Sequence, residues 1–258
     1  MSQGLVERVT GRRKGMGIPG KLQTRARQNL SLLVSLSAVF TGVVFASTVV
    51  FSLFIPGSGG FFNIGESGVY LAALVAGPYV GSVAGGVGSM LADLFLGFPA
   101  WAPGTLLIKA VEGFVVGYIA HRVGVRRLFR SRWVAAVVSL PLAALLFVLG
   151  NAFYVGPADV EVVGVGLSTH IVPALWALVA VVLVVAIVWL VWANPGQTAL
   201  VVAMGVGGSF MIAGYFLYGQ FILNVGALLE VPFNVAQALI GMAVATYLYR
   251  AYQKIYPS

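Results

Sequence analysis

Fourteen of the fifteen Lys and Arg residues lie outside a series of long apolar segments, and the fifteenth, Lys109, falls in the middle of one. An apolar run of about 20 residues is what a helix needs to cross a bilayer, and basic residues of membrane proteins collect in the cytoplasmic loops close to the membrane. Hydrophobic residues make up 60% of the chain and charged residues 9%, so no segment is polar enough to form a soluble domain of its own. The expectation is an all-α integral membrane protein, a polytopic helical bundle. The absence of Cys excludes disulfides, thiolate metal sites and Cys nucleophiles.

Spans are expected at about 30–54, 65–80, 82–97, 103–121, 133–150, 170–193, 198–222 and 231–249. The charges test this count. A basic arm at 1–29 carries Arg8, Arg12, Arg13, Lys14, Lys21, Arg25 and Arg27; Arg122, Arg126, Arg127, Arg130 and Arg132 follow the fourth span; Arg250 and Lys254 follow the eighth. With both termini cytoplasmic, every cluster falls inside, while the loop at 151–169, expected outside, holds Asp159 and Glu161 and no Lys or Arg. The organisation expected is a cytoplasmic arm at 1–29, one membrane domain at 30–252 and a cytoplasmic tail at 253–258. The Gly-rich stretch 65–97 reads as two short helices or an irregular pair, and the even count of eight depends on that split.

Small residues recur at four-residue spacing: Ala38, Gly42 and Ala46 in the first span, Gly77, Gly81, Gly85 and Ser89 in the doubtful stretch, and Gly113 with Gly117 in the fourth. In lipid such stripes let helix backbones approach closely. Packing inside the bundle accounts for the later stripes, whereas the first-span stripe suits a partner subunit equally well.

Polar residues within the spans carry the functional signal. A charge at mid-bilayer costs roughly 2.5–3.5 kcal/mol on insertion scales, so Asp93, Lys109 and Glu112 need partners. Lys109 and Glu112, three apart, share a helix face with Thr105. An ion pair that fixes helix packing and a ligand site or ion path both fit. Asn234 and Gln237, also three apart, sit one to two turns inside the last span, near Tyr215, Tyr218, Gln220, Asn224 and Glu230. Their amides offer donors and acceptors together, which suits a polar organic ligand better than a bare ion. Phe61, Phe62, Asn63 and Glu66 after the first span, with Gly97 to Pro103 around Trp101, place aromatics in Gly- and Pro-rich loops that could stack on a flat ligand or form an interfacial belt.

These residues also carry a likeness. Gly-Phe-Phe-Asn-Ile-Gly-Glu-Ser at 60–67, Leu-Ala-Ala-Leu-Val-Ala-Gly-Pro at 71–78, Gly-Ser-Met-Leu-Ala-Asp-Leu at 88–94 and Ala-Pro-Gly-Thr-Leu-Leu-Ile-Lys-Ala-Val-Glu-Gly at 102–113 resemble the substrate-binding S components of energy-coupling factor transporters. Gly-Tyr-Phe-Leu-Tyr at 214–218 and Pro-Phe-Asn-Val-Ala-Gln-Ala-Leu-Ile-Gly at 232–241 fit the last two helices of that family, in its riboflavin and vitamin-precursor branch. The resemblance implies a cell-membrane subunit that captures a vitamin-like compound and associates with a shared coupling subunit and two ABC ATPases. It maps substrate binding onto Asn63, Glu66, Trp101, Lys109, Glu112, Tyr215, Asn234 and Gln237, and the coupling interface onto Ala38, Gly42 and Ala46. It implies no catalytic residue, cofactor or metal and no nucleic acid. Six helices are usual in that family, so 133–193 reads as an inserted helical pair.

A proton-coupled secondary transporter using Asp93, Lys109 and Glu112 is the alternative. An enzyme is not expected: there is no P-loop, no His-Glu-x-x-His and no Gly-x-Ser-x-Gly, and His121 and His170 fall at opposite faces.

Overall fold

The computed structural model describes residues 30–55, 60–123, 132–162, 165–193 and 197–256. The basic arm, Arg126, Arg127, Arg130 and the last two residues lie outside the described residues. Among the described residues, eight α-helices follow one another: α1 (Leu30–Val50), α2 (Glu66–Ala76), α3 (Pro78–Leu96), α4 (Ala102–Tyr118), α5 (Arg132–Phe153), α6 (Pro173–Ala193), α7 (Thr198–Leu223) and α8 (Val231–Ile255). Among the described residues, α1, α3, α4, α7 and α8 are long and apolar enough to cross a membrane, and α5 and α6 run 22 and 21 residues. Large apolar side chains face outward all round the bundle, Phe95 at 69%, Leu107 at 67%, Trp189 at 64% and Phe221 at 88% exposure. A surface of that kind belongs in lipid. The chain is an all-α, multi-pass membrane protein.

Two antiparallel hairpins interrupt the helices. β1 (Ser52–Ile55) pairs with β2 (Gly60–Asn63), and β3 (Gly156–Val162) with β4 (Val165–Ile171). The first span was expected to run to about 54, but α1 stops at Val50 and the chain turns into β1.

The segment 65–97 resolves into two helices of unequal length. Gly77 adopts φ 92°, which a side chain would disfavour, and Pro78 opens α3 at its first turn, where its missing N–H costs nothing. The 11 residues of α2 reach only about 16 Å, half the hydrocarbon core. Its depth is set by its neighbours. Glu66, at its start, pairs with Lys109 in the middle of α4, and near its end the Ala73 carbonyl accepts from His121 Nε2 at 3.1 Å, in the π-helical turn Ile119–Val123 that closes α4. The helix therefore fills one half of the bundle, toward the His121 end. The other half of this crossing, toward the Trp101 end, is the non-helical stretch 60–65, which is tolerated at depth because protein surrounds it.

Glycines close the His121 half. A Cβ on Gly81 would come within 2.8 Å of the Gly113 carbonyl oxygen, one on Gly85 within 2.9 Å of the Lys109 carbonyl, and one on Gly117 within 2.6 Å of the Pro78 nitrogen. The backbones of α3 and α4 thus touch directly, and the stripes at 81–85 and 113–117 serve packing inside the bundle. Tyr70, Leu74, Met204, Leu239, Met242 and Tyr249 are fully buried between α2, α7 and α8. Helices α5 and α6 pack on each other and on the outer side of α7 and α8.

Candidate functional site

Stopping α2 at mid-depth leaves room above it. The space is a cavity of about 390 Å³, its open mouth included, with polar walls. Each wall comes from a different element. The descent of β2 brings Phe61 and Asn63; α3 brings Asp93; Trp101 stands at the start of α4, with Thr105 and Lys109 one and two turns below; α7 contributes Tyr215; Glu230, Asn234 and Gln237 follow at the start of α8.

The floor is a buried ion cluster. Lys109 Nζ pairs with Glu66 across helices and with Glu112 Oε2 at 3.2 Å within its own. It also lies 5.5 Å from the centre of the Tyr215 ring, within range of a cation–π attraction. All three charges are at most 5% exposed. Removing one member of such a cluster leaves an uncompensated charge, which is why burial demands the full set. Glu66 and Glu112 therefore support the cavity from beneath through Lys109, and of the three only Lys109 lines it. Asp93 stands outside this cluster: the Tyr215 hydroxyl donates to Thr105 Oγ1 at 3.0 Å, and Thr105 in turn bonds the Asp93 carboxyl.

The amide wall has a definite polarity. The backbone N–H of Asn63 can only donate, so the atom of Gln237 that meets it at 3.0 Å is Oε1. That turns Gln237 Nε2 toward Asn234, which accepts it on Oδ1 at 3.1 Å. Asn234 Nδ2 is left without a protein partner, on a residue 4% exposed that lines the cavity.

Aromatic side chains close the Trp101 end. The Phe61 and Phe98 rings pack at 4.9 Å, tilted by 33°, and join the hairpin to the loop before α4. Trp101, 7% exposed, lies 6.1 Å from both Tyr215 and Tyr218, and the Tyr218 hydroxyl donates to the Ala100 carbonyl at 2.9 Å. From outside, α5 and α6 brace the same end: Tyr154 donates to the Leu229 carbonyl at 2.6 Å, Trp176 Nε1 donates to the Tyr154 carbonyl at 3.2 Å, and Tyr154 packs edge-on against Phe233 at 4.8 Å. Leu229 and Phe233 flank Glu230, so these contacts set the wall that bears Glu230 and Asn234.

Of the residues expected to bind substrate, Asn63, Trp101, Lys109, Tyr215, Asn234 and Gln237 come together around one cavity. Phe61, Asp93, Thr105 and Glu230 line the cavity with them. Glu230 shares one helix face with Asn234 and Gln237, and Asp93 carries the signal of an intramembrane charge.

A family model for the ECF-type riboflavin transporter, S component, matches residues 30–188, more than half of the chain. The chain belongs to that family. The match takes in α1–α4, of which α3 and α4 line the cavity, together with α5 and most of α6. Among relatives, an uncharacterized protein of Pyrococcus woesei is 46% identical over 77 residues, 30% of this chain and 51% of that protein. The thiamine precursor transporter HmpT of Lactococcus lactis subsp. cremoris is 28% identical over 124 residues, 48% of this chain and 66% of that protein. The alignments thus cover about half of the first relative and just under two thirds of the second. No solved structure matches this S-component family member. Its family is one of transporter components, not of enzymes.

Proposed function

We propose that this protein is the membrane-embedded capture subunit for uptake of a water-soluble vitamin or vitamin precursor, working with a coupling membrane subunit driven by two ABC ATPases. The observation that carries the reading is the interrupted second crossing: a short α2 leaves a polar, aromatic-capped cavity in one half of the bundle and none of the described ion pairs fills it. Family membership and the likeness to a thiamine precursor transporter support the same class of substrate.

Orientation follows from charge. Gln237 meets Asn63 and Gly241 lies against Glu66, so α8 runs alongside α2 and its end, with Arg250 and Lys254, comes level with Arg122 at the His121 end. Basic residues mark the cytoplasmic face, which supports a cavity open to the outside and both termini inside. Ala38, Gly42 and Ala46 are all exposed along α1, a Cβ on Gly42 would touch nothing within 4 Å, and only 11% of that helix's apolar window is buried, against 44–67% for α3, α4, α7 and α8. A flat face of small residues lets a second membrane protein approach closely, which supports α1 as the surface for the coupling subunit.

The test is thermal unfolding of the detergent-solubilised protein with a panel of water-soluble vitamins, without ATP. A ligand at 100 times its Kd adds about 2.7 kcal/mol to the folded state. One vitamin raising the midpoint supports capture; a panel that leaves it unmoved overturns it.

A further inference from the structure

Charge and hydrogen-bond polarity in the cavity describe its ligand more closely. Three buried carboxyl groups carry the charge balance of the cavity, Asp93 in the wall with Glu66 and Glu112 beneath, against a single ammonium among the described residues, Lys109. Lys109 is already shared between Glu66 and Glu112. A buried carboxylate with no cation beside it either takes up a proton or draws in a positive charge. Asp93 is 5% exposed, receives Thr105 on one side, and its Oδ2 has no protein partner. It therefore presents an acceptor to the cavity. Asn234 Nδ2, whose direction follows from the Asn63–Gln237–Asn234 chain, presents a donor. Trp101 and Tyr215 line the cavity together, their rings 6.1 Å apart and tilted by 58°, and offer a flat group an aromatic wall to pack against.

Resting on the capture reading, we propose that the ligand is a positively charged, amino-bearing flat heterocycle, with an N–H donor on Asp93 and an acceptor atom on Asn234. A neutral isoalloxazine or an anionic carboxylate would bring no positive charge to Asp93. A cation–π contribution from the aromatic cap adds to the preference.

The experiment compares three probes at one fixed neutral pH by thermal shift and by equilibrium binding: thiamine, a permanent cation with an aminopyrimidine ring; riboflavin, flat and neutral; and nicotinate, flat and anionic. Each is measured on the unaltered protein, on Asp93→Asn and on Asn234→Leu. The result expected is that thiamine binds most tightly and that Asp93→Asn, which keeps the shape and removes the charge, weakens it roughly tenfold to a hundredfold, as loss of a charge-assisted bond does. Asn234→Leu weakens it less. Tightest binding by riboflavin or nicotinate overturns the charge inference and leaves the capture reading standing. Thiamine binding unchanged in both variants overturns the assignment of these two atoms. No shift with any of the three probes, in samples that melt cooperatively, overturns the cationic class, and a shift with another member of the wider vitamin panel then leaves the capture reading standing.

Discussion

Toward the His121 end, α2, α3 and α4 meet at glycines, with the Gly81 and Gly113 backbones in contact and no side chain between them. Toward the Trp101 end the same crossing is made by a hairpin and an extended stretch, and the spaces are filled by rings and amides around a cavity. The contrast shows how a membrane bundle, which gains little from hydrophobic burial, keeps a polar cavity open. Dense backbone contact holds one half together so that the other half can stay hollow without the helices separating.

The sharpest way to break that comparison is to force the dense half apart. Gly113→Leu would drive a side chain into the Gly81 backbone, and we expect it to cost about 3 kcal/mol or more, seen as loss of the monodisperse folded protein in detergent. An unaltered midpoint would show that the half is looser than its contacts imply. Next comes the floor. Lys109→Met leaves Glu66 and Glu112 buried without their cation and should lower stability by about 3–5 kcal/mol, with part recovered when both carboxylates are also changed to Gln. Within the hollow half the effects shrink. Gln237→Ala orphans the Asn63 N–H and frees Asn234, which should cost about 1–3 kcal/mol and weaken ligand binding, by the same thermal assay. Tyr154→Phe, which removes only the bond to Leu229, should cost about 1 kcal/mol and soften the wall that carries Glu230. At the bottom of the scale, Gly42→Trp points into open space on α1 and should leave stability and binding where they were while abolishing uptake in cells. Uptake that survived it would remove α1 as the coupling surface.

Eight helices were readable from hydropathy and charge because each of those signals is local. The i,i+3 pairs were readable for the same reason: Lys109 with Glu112 and Asn234 with Gln237 are neighbours on a helix wherever it sits. Pairings between distant segments were not. Nothing in the spacing joins Glu66 to Lys109 or Asn63 to Gln237, and nothing local says that Thr105 links Tyr215 to Asp93. The expectation that 65–80 is a helix overran α2 because the apolar composition continues through Gly77, whereas the backbone there turns at positive φ. The β1–β2 hairpin escaped notice because its four-residue strands are apolar on both faces and merge into the end of the first span. Nor does any local pattern show that the stretch expected as an inserted pair, 133–193, braces the cavity wall through Tyr154 and Trp176.

The glycine contact between α3 and α4 also bears on how such a protein changes its diet over evolutionary time. A backbone-to-backbone join has room for almost no side chain, so change there would cost the fold, whereas the side chains around the hollow, on the hairpin, the Trp101 loop and the first two turns of α8, can be exchanged without parting the helices. New ligands can then be acquired one residue at a time on an unaltered chassis.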